Sequence, residues 1–497
     1  MKKLVLLLFL INLGFFSYSQ NIEFNKLPED YQLFPRDDSN KASVVFSGTY
    51  NGGLEIAQLK LKVFKNGVLY DQKKSKIQNK TFTISSLIKA GLYNYKFELY
   101  IENKNKEELV ISVDNITCGD AYLITGQSNS HASSKKSIYS NSFIRSFGVK
   151  TGYEKYSEED KKIRWGLGTG NCVNCEGESW DKGYGGGWFV KNSHGIGVWG
   201  MELAKLLVEK YKIPVCIING GSGSSTIEQN MLYPEKISLE TSFGRLAYRV
   251  DQAGLKNHIK AIFYHQGESD ANKIRSSSYA DNFDTLNKDW LRVYKGIKKI
   301  YIFQIHPGCG NDFQSEIRET QYQISKKYNH VDIMSTLGVV GHDGCHFSYK
   351  GYKEFASRIL PLVSRDFFDN IQTSVITPPQ LLNVYYSGKK EITMDFDQSI
   401  EFEKFLKVKG VNRQMKNQFY FIEENNDHIL NGIVKGLVSK NKSIIIKLNS
   451  EKKYSRVIWP PNKEYLDSKD VYNGPWIRGS INNIGALSFN RQILKNN

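Results

Sequence analysis

The sequence predicts an α/β protein: a three-layer domain built on a five-stranded parallel sheet, flanked on both sides by β-sandwich-like domains. Three observations carry this. Between about residues 116 and 370, short apolar runs alternate with segments of helical periodicity, the pattern of a parallel sheet covered on both faces. On either side of that stretch, period-two alternation broken by turn residues takes over and helical periodicity is scarce. The chain has 497 residues, more than one ordinary domain holds.

Residues 1–20 read as a secretory signal peptide. Lys2 and Lys3 give a positive start, Leu4 to Phe16 an apolar stretch, and Ser17-Tyr18-Ser19-Gln20 a cleavage region. The mature chain is then expected to be secreted or periplasmic. A membrane anchor is the competing reading, but no later segment reaches about eighteen apolar residues, so no membrane span is expected. No Cys follows the apolar stretch, which argues against a lipoprotein.

Residues 21–115 are expected to form the N-terminal β-domain. Its strand-like runs, Ala57 to Val63, Thr81 to Ile84 and Tyr93 to Tyr100, are separated by Gly-containing turns. The middle domain, 116–372, supplies strands at Ala121–Thr125, Pro214–Asn219, Ala261–His265, Ile300–His306 and Val331–Ser335. Apolar residues at helical spacing mark Val198 to Tyr211, Tyr279 to Tyr294, Phe313 to Tyr328 and Tyr352 to Phe367. Ile376-Thr377-Pro378-Pro379 reads as a linker, because successive prolines disfavour both helix and sheet interior. Strand-like runs then return at Glu391 to Phe396, Gln418 to Ile422 and Ser443 to Leu448, giving a C-terminal β-domain over 373–497. For both flanking domains, packing on the central domain and glycan binding stay open.

The net charge of +16 falls by two, to +14, once Lys2 and Lys3 leave with the signal. Such a basic exported protein suits acidic glycans, but the basic residues are scattered, as on a surface that is simply rich in Lys. Nothing resembles a nucleic-acid module. Six cysteines permit disulfides in an exported chain. Cys172-Val173-Asn174-Cys175 is a single CxxC without two further placed ligands, so a local disulfide or free thiols are expected rather than zinc.

In open parallel sheets, ligands bind beyond the carboxyl ends of the strands. Each predicted strand is followed there by groups with chemistry: Ser128; Gly220-Gly221-Ser222-Gly223-Ser224; Gln266-Gly267-Glu268; His306-Pro307-Gly308; and His342-Asp343-Gly344-Cys345-His346. A serine hydroxyl needs a base to take its proton and an acid to orient that base. Ser128 is therefore expected to attack an ester carbonyl, His346 to carry the proton and Asp343 to fix the imidazole. The oxyanion needs preorganised donors; the backbone N–H groups of Ser128 and Gly223 and the Gln266 amide are the candidates. Gln127, Glu268 and His306 are further candidates for substrate or supporting contacts. Taken singly, a turn serine, an Asp-x-x-His or a buried Gln is usually structural; five such segments on one rim are not. Cys309 and Cys345 follow neighbouring strands on that rim and are expected to pair, leaving Cys216 buried and free.

These residues resemble the SGNH (GDSL-like) hydrolase superfamily, in its sialate O-acetylesterase and acetylxylan esterase-like branch. The resemblance rests on Gly126-Gln127-Ser128-Asn129, on Ile218 to Gly223 with Ile227-Glu228, on His265-Gln266-Gly267-Glu268 and on Asp343-Gly344-Cys345-His346. It covers about 116–370 and implies a flavodoxin-like sheet, a Ser128–His346–Asp343 triad, an oxyanion hole completed by Gly223 and Gln266, and no metal or cofactor. It also implies that Glu268 braces its loop. The chain departs from the family at Gly220 to Ser225, where Ser222 stands in place of the usual aromatic residue. Residues 131–196 form a long insertion with Trp165, Trp180, Tyr184 and Trp188; a sugar-stacking surface and a small core under a long loop are both compatible with it. The expected activity is removal of O-acetyl groups from a glycan, acetylated xylan or pectin included, by a serine esterase. A vestigial glycan-binding protein and a lipid esterase are the alternatives; the polar, Gly-rich loops offer no acyl groove for the latter.

Overall fold

The computed structural model describes residues 22–495 apart from 53–57, 104–105, 133, 135, 149–162, 171–193, 233–236, 240, 310–311, 369–373, 409–410, 425–427 and 463–470. The expected signal peptide, the Cys172–Cys175 pair and Trp180, Tyr184 and Trp188 lie outside the described residues. The chain falls into two compact units, Met1–Cys118 and Gly119–Asn497.

In the first unit, Ile22–Lys26, Lys41–Tyr50 and Thr81–Lys89 form one antiparallel sheet. Gln58–Lys65 pairs with Val68–Ser75 on one side and Tyr95–Asn103 on the other in a second. Side chains alternate across a strand, so every second residue faces inward. Val44 and Phe46 of the first sheet, with Leu61, Val63, Phe97 and Leu99 of the second, are fully buried in one shared core.

The second unit is built on a sheet of seven strands: β1 (Lys106–Gly126, from Gly119 onward), β2 (Ile144–Gly148), β3 (Arg164–Leu167), β4 (Val215–Asn219), β5 (Ile259–His265), β6 (Lys299–Gln304) and β7 (Val331–Ser335). Their order is β3-β2-β4-β1-β5-β6-β7. All neighbours are parallel except β3, which runs antiparallel to β2. The expected sheet of five parallel strands is thus corrected: β2 and β3, from inside the long insertion, extend it beyond β4.

Helices cover both faces, as alternation along β5 reveals. Phe263 and His265 point to one side, where they meet Trp199 of α2 (Val198–Tyr211) and Phe355 of α6 (Tyr349–Phe367). Tyr264 points to the other, where it meets Phe283 and Trp290 of α4 (Lys273–Val293). The unit also contains α3 (Ser242–Gln252) and α5 (Gln314–Lys327), the latter packed on α4. Cover on both faces explains why β4 is buried at every position and reads as a continuous apolar run rather than an alternating one.

From Leu381 onward the second unit is β-rich. One four-stranded antiparallel sheet contains Glu391–Phe396 and Ser443–Leu448, and another contains Tyr420–Glu423 and Tyr454–Trp459. Ile392, Met394, Phe421, Val457, Trp459 and Phe489 share a core, which Leu337 from beyond β7 joins. Polar contacts lock this region to the α/β part. The Gln304 carboxamide donates to Ser488 O at 3.1 Å and accepts from Ser488 N at 2.8 Å. Arg318 donates to Asn462 Oδ1 at 2.9 Å. No described helix is long and apolar enough to cross a membrane.

Candidate active site

Strand β1 ends at Gly126, whose φ of +127° lies where side chains are strained. A Cβ there would stand 2.1 Å from the carbonyl oxygen of His265. Glycine therefore lets β1 and β5 end side by side while the chain turns, and Gln127 N donates to that same His265 carbonyl at 2.9 Å. Ser128 opens the short helix α1 (Ser128–His131) at this turn. It is half-buried, and its Oγ stands 2.9 Å from Nε2 of the exposed His346. Two residues 218 positions apart are thus brought to hydrogen-bonding distance.

The loop that carries His346 is held from within. Asp343 Oδ1 accepts from the backbone N–H of Cys345 at 2.9 Å and of His346 at 2.8 Å. Burial disfavours its charge, but these two amides and the nearby His346 and His342 outweigh that and hold the carboxyl below its ordinary range. Among the described residues no hydrogen bond or ion pair joins the Asp343 carboxylate to the His346 ring. Asp343 shapes the turn through the backbone here, rather than gripping the imidazole as the sequence reading expects. Cys345 is disulfide-bonded to Cys309 with a Cα separation of 4.4 Å, and Cys216 is buried and free, both as expected.

Asn129 joins the two halves of the site, a role the sequence reading missed. Its Nδ2 donates to Glu268 Oε1 at 2.9 Å and to the carbonyl of Cys345 at 3.0 Å, while its Oδ1 accepts from Tyr352 at 2.8 Å. Glu268 also pairs with His265 Nε2 at 3.1 Å. Burial pushes the Glu268 carboxyl up, but His265 and the hydrogen bonds overcome this and keep it below the usual range. A buried carboxylate is tolerable because it is paired.

The candidate oxyanion donors differ from the expectation in one place. Gly223 is buried, and its N–H, like that of Ser128, donates to no partner among the described residues. The Gln266 carboxamide is fully buried, and both hydrogens of its NH2 are committed, one to Ser225 O at 3.1 Å and one to Asp270. Its oxygen accepts from Tyr264 and Tyr279, each at 3.1 Å. Gln266 is therefore placed as a brace under the Ser222–Ser225 loop, not as a free donor. Asp270, also unread in the sequence, accepts from Ile227 N at 3.0 Å, and burial raises its carboxyl to about 6.

His306 is buried beneath the His346 loop, not presented to a substrate. Its ring lies 3.8 Å from that of His342 and 5.5 Å from Trp476. Burial, then the neighbouring His342, holds it well below the ordinary histidine range. His342 accepts from Gly344 N at 3.2 Å through Nδ1, which requires that nitrogen to be unprotonated. No cluster of three or more His, Cys, Asp or Glu placed to hold a metal occurs among the described residues.

Residues 118–363 match the family described as carbohydrate esterase, sialic acid-specific acetylesterase. Among solved structures, a carbohydrate acetylesterase from Xanthomonas citri shares the fold at a TM-score of 0.61 and 14% identity, over 95% of this chain and 99% of that one. A protein from Arabidopsis thaliana aligns at a TM-score of 0.39 and 18% identity, over 50% of this chain and 99% of that one. No curated protein matches the chain. Through residues 118–363, the chain belongs to the sialic acid-specific acetylesterase family of carbohydrate esterases.

Proposed function

We propose that the protein is an exported serine esterase that removes O-acetyl groups from a glycan, a sialoside being the favoured substrate. The observation that carries this reading is the 2.9 Å approach of His346 Nε2 to Ser128 Oγ at the carboxyl ends of the strands. Residues 116–372 form the catalytic domain, residues 1–20 direct export, and 21–115 and 373–497 are flanking β-domains.

His346 takes the Ser128 proton as Oγ bonds to the acetyl carbon and the carbonyl electron pair moves onto oxygen. The backbone N–H groups of Ser128 and Gly223 receive that charge. Collapse of the intermediate breaks the bond to the sugar oxygen, which leaves with the proton from His346. Water, deprotonated by the same imidazole, releases acetate and restores Ser128. Asp343 supports the imidazolium by its charge and by the turn it holds, and the Asn129–Glu268 pair keeps the two loops in register.

The test is acetate release from acetylated sialosides, xylans and pectins, with Ser128→Ala beside the wild type. Release from at least one glycan, strongest with sialosides and lost in the variant, is the expected result. Equal release by the folded variant would remove the assignment.

A further inference from the structure

The loop beyond β5 ties a charged side chain to the neighbourhood of the nucleophile. Gln127, the residue before Ser128, is buried, and its Oε1 accepts from Gly267 N at 3.2 Å and from Ser269 N at 3.3 Å. Ser269 O in turn accepts from Arg275 Nε at 3.1 Å. Two hydrogen-bonded steps thus connect Arg275 to the residue beside Ser128. That last bond occupies Nε alone. The two Nη groups of the half-buried Arg275 make no hydrogen bond or ion pair among the described residues. The charge has little structural use at this place. Arg275 lies in the first turn of α4, behind the N-cap Asn272, where the helix dipole disfavours a cation. Burial raises the neighbouring Asp270 to about 6; the Arg275 charge draws it down only in part, and Glu228 opposes. Glu228 itself is exposed and accepts from Asn282 at 3.5 Å rather than from Arg275.

We propose that Arg275 is a specificity-determining residue that binds the carboxylate of an acidic sugar and so holds the sugar while its O-acetyl group meets Ser128. The inference rests on the esterase reading above. A guanidinium presents its N–H groups as a planar fork that matches a carboxylate, and such charge-assisted bonds are the strong ones. The bond from Nε to Ser269 O sets the fork before substrate arrives, so less ordering is lost on binding. Sialosides and galacturonans both carry the required carboxylate, and a neutral acetylated sugar does not.

The test compares each acid with its neutral carboxamide, which keeps the O-acetyl group and removes the charge. Acetate release is measured from an O-acetylated sialoside, from an O-acetylated galacturonan oligomer and from the carboxamide of each. In the wild type, KM for the acid is expected to lie about 10–100-fold below that of its carboxamide, with kcat alike, in at least one pair. The pair that shows the gap identifies the acidic sugar. In Arg275→Gln the gap should close. No gap in either pair, or a gap that survives Arg275→Gln, would overturn the proposal. Should that variant fail to fold, Arg275→Lys carries the test: it keeps the charge without the fork, so the gap should narrow, and an undiminished gap overturns the proposal. An aryl acetate, which bears no carboxylate, separates this inference from the reading it rests on. A wild type active on the aryl acetate but without a gap removes the carboxylate site alone. A wild type that releases acetate from none of these substrates and does not react with a fluorophosphonate would overturn the esterase reading itself.

Discussion

Asn129 Nδ2 donates to the carbonyl of Cys345 at 3.0 Å, so the residue after Ser128 grips the residue before His346. Positions 216 apart in sequence are joined by one side chain. A single hydrogen bond thereby bears on the distance between nucleophile and base.

Asn129→Ala is expected to lower kcat about 10–100-fold while KM changes little, because misplacing reacting groups by about 1 Å can cost 10²-fold. The same change removes one hydrogen bond each from buried Glu268, which keeps His265, and from Tyr352, so stability should fall by about 1–3 kcal/mol. Steady-state kinetics and a denaturant titration check both. Full activity in a destabilised variant would separate Asn129 from the geometry of the site.

The Cys309–Cys345 disulfide closes a loop with a sequence separation of 36 next to His346. Its removal by the double Ser variant should cost about 2–4 kcal/mol, from loop-closure entropy regained on unfolding. Activity should drop too, since the same bond anchors the base-bearing loop. Thermal melts with and without reductant, run beside acetate release, measure the two effects.

His342 gives a pH dependence with a definite sign. Burial, the leading cause, lowers it from 6.5 to about 4. In that interval the unfolded chain binds the proton and the folded chain does not, so stability is full above 6.5 and declines as pH falls toward about 4. The shift corresponds to about 3 kcal/mol at roughly 1.4 kcal/mol per unit. Asp270, raised to about 6, pulls the opposite way over part of the range. The difference between wild type and His342→Asn isolates the histidine, since Asn still offers an acceptor to Gly344. That difference should shrink on acidification; a constant difference from pH 7 to about 4.5 would refute the assignment.

Gly126→Ala should prevent folding or cost several kcal/mol, at the upper end of single-residue effects, because backbone strain and a 2.1 Å contact with His265 O coincide. Expression level and circular dichroism report it.

What the sequence revealed follows from how each element is built. Helix α2 was legible over its full span because its apolar face is unmixed, and β4 because every position is buried. Strand β2 escaped because fully buried Arg145 interrupts it, and a charged residue masks an apolar run. Helix α3 escaped for a like reason: buried Arg245 and Arg249 sit among Phe243, Leu246, Ala247 and Val250. Those four apolar residues keep helical spacing behind an N-capping Thr241, a signal that was there to be found. At the site, Ser128 and His346 were legible as a pair because strand ends converge. The bond of Gln266 to Ser225 and those of Asn129 were not, since partners 41 to 223 positions away leave no local trace.

The central claim is that Ser128 is the nucleophile and His346 its base. The most direct measurement is covalent labelling by a fluorophosphonate, with the adduct mapped by mass spectrometry. The expected result is one adduct on the peptide bearing Ser128, absent in Ser128→Ala and formed far more slowly in His346→Ala. An adduct on another serine, or labelling unaffected by loss of His346, would contradict the account.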